Sequence, residues 1–197
     1  MRSTKEMRIE FVRASIEFTF CSIKRRYIRL CELLQKYSVH NEDDEIIATA
    51  WDIVDWSERL RGLLSHATGI PSNDPWLNWF RRELEPIEKM RHIIQHLRGS
   101  LEACLEDKTA LFGTVSAYCS NAEQTAYDIV VAVASPFRSQ EVANNSEYLE
   151  TEINFHPPVD QVRLRVGRHR INLTNFINLI NDGHNKFVER IQQHPVR

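Results

Sequence analysis

Residues 6–37 read EMRIEFVRASIEFTFCSIKRRYIRLCELLQKY, and apolar side chains recur there at Ile9, Val12, Ile16, Phe20, Ile23, Tyr27, Leu30, Leu34 and Tyr37. Steps of three and four residues put these positions on one face of an α-helix. About thirty residues at ~1.5 Å each reach roughly 45 Å, so the helix either spans the whole body or projects at one end towards a partner. Its far face carries Lys24, Arg25, Arg26 and Arg29 around Tyr27. A functional reading makes this cluster a patch for RNA or another anion, and a structural one makes it a solvated helix surface.

Working outward, the turn 38–41 leads to Asn41, a good N-cap for a helix that opens with Glu42, Asp43, Asp44 and Glu45. Acids there favour the positive helix N-terminus. Ile46, Ile47, Ala50, Ile53, Val54, Leu60, Leu63 and Leu64 mark its buried stripe to about His66. The acidic opening can lie against the basic face of the first helix, which gives an antiparallel pair. Gly69 and Pro71 end this segment by a left-handed cap and a missing N–H. Asp74-Pro75 then reads as N-cap and first-turn proline of a third helix with Trp76, Trp79, Phe80 and Leu84 on one face. Pro86 kinks or restarts that helix, whose stripe continues through Ile87, Met90, Ile94, Leu97 and Leu101 to near Cys104. Trp76 and Trp79 are expected in the core, while Trp51 or Trp56 is a candidate for contact with a base or a partner chain.

The pattern changes after Asp107. Residues 111–118 and 125–133 are rich in β-branched and aromatic side chains and flank a turn-like stretch at 120–123, as paired strands do. Residues 135–158 are polar and aperiodic and read as a loop. Alternation at 162–166, a turn at Gly167-Arg168 and a return through 169–173 give a second hairpin. Thr174 is then the expected cap of a closing helix over 175–193. The chain is thus read as α+β and mainly α: an antiparallel helical bundle over 1–107, then a small antiparallel sheet with a C-terminal helix over 108–197, packed on the bundle.

Composition bounds the function. Of the 197 residues, 42% are apolar and 26% charged, which is ordinary for a globular chain. Six glycines suit long helices better than a turn-rich sandwich. A formal charge of −2 gives no bulk attraction to nucleic acid, so a polyanion would have to meet a local patch. Cys21, Cys31, Cys104 and Cys119 are scattered without a C-x-x-C pair and read as free thiols in a reducing compartment. With no signal-peptide pattern and no apolar run of the ~18–20 residues a membrane span needs, the expectation is a cytoplasmic protein with no membrane contact.

Chemistry concentrates in Glu88-Lys89-Met90-Arg91-His92-Ile93-Ile94-Gln95-His96-Leu97-Arg98. Each helical residue turns by about 100°, so His92 and His96 share a face while Arg91 and His96 differ by about 140°. Histidine moves protons near neutral pH, and the guanidinium fork suits phosphate oxygens. Together they are a plausible minimum for metal-independent RNA transesterification. In it a ribose 2′-OH attacks the adjacent phosphate, histidine handles the protons and arginine stabilises the developing charge. The competing readings are a solvated or dimer-buried polar face paired with acids, and a metal site of Glu88, His92 and His96. The latter three span about 12 Å of helix and cannot converge on one ion without other elements. No nucleophile elbow or phosphate-cradling glycine loop occurs, and the reading assigns no cofactor and no metal.

Arg91 to His96 resembles the R-(polar)-x-x-x-H signature of HEPN domains, with His92 at the polar position. Arg61 to His66 also fits R-x-x-x-x-H, but Gly62 fails the polar position. The resemblance covers at most residues 6–107. It implies a helical bundle, a homodimer, Arg91 and His96 as a catalytic pair assisted by His92, and one composite cleft formed by two copies of the helix. It further implies a metal-independent endoribonuclease of the defence or toxin–antitoxin type, with RNA as substrate and an antitoxin-like protein as partner. The alternative is a non-enzymatic dimeric interaction or regulatory module in which the same helix is an interface.

Overall fold

The computed structural model describes residues 3–37, 43–66, 68–96, 102, 110–120, 127–133, 158–167 and 169–195. It is a mainly helical α+β fold. The helices are α1 (Thr4–Gln35), α2 (Asp43–Leu64), α3 (Pro75–Glu83), α4 (Glu85–Gln95) and α5 (Leu173–Gln193), and the strands are β1 (Thr114–Ser120), β2 (Tyr127–Val133), β3 (Val159–Val166) and β4 (His169–Asn172).

Ser3 starts α1 through a capping box in which its hydroxyl accepts from Glu6 N and the Glu6 carboxylate accepts from Ser3 N. Helix α2 runs antiparallel to α1, as Arg29–Glu45 at 2.6 Å and Arg26–Asp52 at 3.2 Å show. The acidic opening of α2 does face the basic stretch of α1. Asp74 caps α3 by accepting from Leu77 N at 3.0 Å, and Pro75 fills the first turn. The helix stops at Leu84 and restarts as α4 with Pro86 in its first turn, where no helical N–H is missed.

The four strands form one antiparallel sheet in the order β2-β1-β3-β4. β1 is central and buried at every position from Thr114 to Cys119, so it shows no in-out alternation. Its pairing with β3 slips between Ser116 and Tyr118. Next to that slip, Gln161 takes a positive φ of 51°. One continuous apolar cluster runs from Ile16, Phe20 and Ile23 through Ile53, Leu60 and Phe80 to Val115, Leu164, Ile180 and Phe187. Helix α5 closes it by packing on α1 and β3.

Two expectations require correction. Asn172, not Thr174, caps α5, accepting from Asn175 N at 2.9 Å. Thr174 Oγ1 is engaged elsewhere: it accepts from Val162 N at 2.9 Å and shares a hydrogen bond with the Tyr27 hydroxyl at 2.9 Å. Trp79 is 39% exposed, and the core place goes to Phe80, whose ring stacks with Trp76 at 5.5 Å. Phe80 fits because it meets α5 at Gly183, where no Cβ stands in the way. The expected cap Asn41, Cys104 and the stretch 135–157 lie outside the described residues.

Candidate functional site

Helix α4 places the Arg91/His96 segment. Ile87 and Met90 are buried, which leaves Arg91 half-buried and His92, Gln95 and His96 exposed. The Arg91 guanidinium turns to α2, its Nε 3.2 Å from Asp55 Oδ1. It there borders a cavity of about 550 Å³ lined by Asp44, Ile47, Ala48, Trp51, Asp55, Arg91, Gln95 and Phe112. Trp51 Nε1 donates to the Phe112 carbonyl at 2.8 Å and ties α2 to the approach to β1. Two carboxylates and one guanidinium line this cavity, so its field does not favour a phosphate.

His92 and His96 form a pair outside the cavity, with ring centroids 4.1 Å apart and planes at 54°. Among the described residues, the cavity that Arg91 borders is lined by neither histidine. The helix turns Arg91 towards α2 and carries the imidazoles on its outer side. The other R-x-x-x-x-H match is also engaged in ion pairs, since Arg61 bridges Glu58 at 2.9 Å and Glu88 of α4 at 3.0 Å. Among the described residues no three His, Cys, Asp or Glu side chains converge as metal ligands.

The basic stretch of α1 is largely neutralised. Arg26 pairs with Asp52, and Arg29 with Glu45 and, at 3.6 Å, Glu32. Lys24 Nζ lies 2.7 Å from His184 Nδ1, and the other ring nitrogen of His184 contacts Glu17. A lysine ammonium only donates, so Nδ1 accepts and Nε2 carries the proton towards Glu17. Arg25 alone of the four is exposed without an ion pair among the described residues.

The helix pair carries a second surface that the periodicity of the buried stripe did not bring out. Met7 (51%), Phe11 (73%), Phe18 (59%) and Ile28 (58%) of α1 are exposed. Phe11 and Phe18 border a groove of about 610 Å³ whose opposite wall is Trp56, Arg59, Gly62 and Leu63 of α2 with His66 just beyond it. Trp56 meets Phe18 edge-on at 5.5 Å, and the guanidinium carbons of Arg26 and Arg59 lie 5.0 and 4.8 Å from its ring. This groove was signalled in the sequence by apolar residues on the side of α1 opposite its core stripe. Trp56 answers to the partner-contact role considered for a tryptophan of α2 only in being partly accessible there.

No family model matches the chain, and neither a curated protein nor a solved structure matches it. Among the described residues no helix is long and apolar enough to cross a membrane.

Proposed function

We propose that this protein is a non-enzymatic, homodimeric interaction module. The observation that supports this reading is the exposed apolar face of α1 with its groove against α2. Large apolar groups gathered on one face of a folded chain mark a surface that another macromolecule covers. The acid-lined setting of Arg91 points the same way, because Asp55 competes with a phosphoryl oxygen for its guanidinium. Free thiols at Cys21, Cys31 and Cys119 suit a reducing, cytoplasmic setting. Sedimentation equilibrium tests the reading: a dimer is expected at micromolar concentration, and a monomer throughout the accessible range overturns it.

A second reading follows from the exposed His92/His96 pair beside Arg91 on one helix. As in the HEPN-like proposal, a second copy of α4 can complete a cleft in which the histidines handle protons and Arg91 leaves Asp55 for a phosphate. In that case RNA is the substrate and an antitoxin-like protein is a fitting regulator. Incubating wild-type and His96→Ala protein with cellular RNA in excess EDTA separates the two. The interaction module predicts no cleavage by either protein. Cleavage by wild type alone, leaving 2′,3′-cyclic phosphate ends, establishes the nuclease.

A further inference from the structure

Helix α1 is apolar on two faces. Beyond its core stripe, Met7, Phe11, Ala14, Phe18, Cys21, Arg25, Ile28 and Glu32 follow one another at alternating steps of four and three residues. Seven of these eight are exposed and Cys21 is half-exposed. The apolar members of this seam run without a break from Met7 to Cys21 and resume at Ile28 beyond Arg25, at the 3.5-residue spacing by which one helix packs along another, down the outer side of a helix already anchored on its inner side. Through Ile28 the seam is about 32 Å long. Counting the α2 wall of the groove beside it, a face ~20 Å broad covers roughly 600 Å² per copy, near the ~800 Å² of a standard stable interface.

We infer that α1 is the self-association surface of this protein, pairing antiparallel with α1 of a second copy about a two-fold axis between Phe18 and Cys21. This rests on the dimeric reading above and adds its surface and register. In this register each large seam residue meets a smaller or differently shaped one: Phe18 lies on Cys21, Phe11 on Ile28, Arg25 on Ala14 and Glu32 on Met7 of the other copy. The same four layers repeat on the other side of the axis, so one two-fold covers every exposed apolar side chain of α1 at once.

Charge selects the orientation. A parallel pair sets Arg25 on Arg25 and Glu32 on Glu32 at the seam, where like charges cost most. The antiparallel pair separates them. Arg25 then lies over Ala14 near Glu10 and Glu17. On one flank Glu17 comes next to Lys24 of the second copy, both side chains being held in place by His184. On the other flank Arg8 meets Arg29, whose charge Glu45 and Glu32 offset. Glu32 itself falls beside Arg8.

The test compares wild type, Phe11→Glu and Phe18→Glu by sedimentation, with circular dichroism as the check on folding. Both phenylalanines are more than half exposed, so the fold is expected to survive. A wild-type dimer whose dissociation constant rises at least a hundredfold in either variant supports the inference. A wild-type dimer left intact in both variants overturns it while leaving the dimeric reading standing, and a monomeric wild type overturns both. Register is read independently by disulfide capture on a Cys21→Ser background. Mixed Ala14→Cys and Arg25→Cys proteins should cross-link to each other. Neither should cross-link alone, because two copies of position 14 lie roughly 16 Å apart along the axis. Cross-linking of Ala14→Cys alone, the signature of a parallel pair, overturns the proposed register.

Discussion

The Phe80 ring lies against the backbone of α5 at Gly183, so a Cβ added there would overlap the ring. Gly62, at the groove side of α2, has open space where a Cβ would stand. Helix propensity favours alanine at both positions by about 1 kcal/mol. Packing reverses the sign at one of them: Gly183→Ala is expected to destabilise by about 1–3 kcal/mol. Gly62→Ala is expected to stabilise by up to ~1 kcal/mol, with urea unfolding of both variants as the measurement. Chemistry at the residue scale is governed by burial in the same way. The Cys31 thiol, half-buried beside Tyr27, is pushed up to about 11, chiefly by desolvation of its anion. Iodoacetamide should therefore modify Cys31 slowly at pH 8 and faster as pH approaches 11. Because the unfolded thiol ionises nearer its ordinary value of 9.0, this group's contribution to stability is complete below that value and is lost as pH rises through about 11.

Between elements, single polar side chains set the joints. Asp43 Oδ1 accepts from the Tyr37 hydroxyl at 2.8 Å and from Val133 N at 3.2 Å, so one buried carboxylate joins the end of α1, the start of α2 and the end of β2. Asp43→Ala should cost about 1–3 kcal/mol in chemical unfolding, since it leaves a buried strand N–H without that acceptor. Spacing and end signals made most of the elements legible. The antiparallel α1/α2 pair followed from basic and acidic runs, a kink or break near the start of α4 from Pro86, and both hairpins from β-rich runs flanking turn-like stretches. Less legible was the choice between Asn172 and Thr174 as the α5 cap. Both are good capping types two residues apart, and the decision came from Tyr27 and Val162, remote in sequence, which engage the Thr174 hydroxyl. Trp79 lost its expected core place for a similar reason. Helical spacing admits both Trp79 and Phe80 on the face, and only Phe80 finds a glycine opposite.

For the whole molecule, the candidate site was legible as composition and not as geometry. The spacing of Arg91, His92 and His96 shows that the imidazoles share a face, and the structure puts them 4.1 Å apart. That Arg91 turns away to Asp55, on another helix, is a tertiary fact without a local signal. The outer seam of α1 was present in the sequence all along, but the stronger core stripe on the same helix dominates a reading by periodicity. The association proposed for that seam would make stability depend on protein concentration. Thermal unfolding of wild type should shift upward as concentration is raised tenfold, and Phe18→Glu should remove that dependence, by calorimetry or by fluorescence of the nearby Trp56. Packing of α1 against α5 has a consequence in time as well. Phe20 meets Phe187 and His184, which are synthesised long after it. At ~5–20 residues per second, roughly 7 to 28 s pass between the emergence of the first helix and that of the last. During that interval the nascent chain leaves open the side of Phe20 that α5 covers in the finished fold. Its yield on folding is therefore expected to depend on a holding chaperone more than the finished protein's stability would suggest.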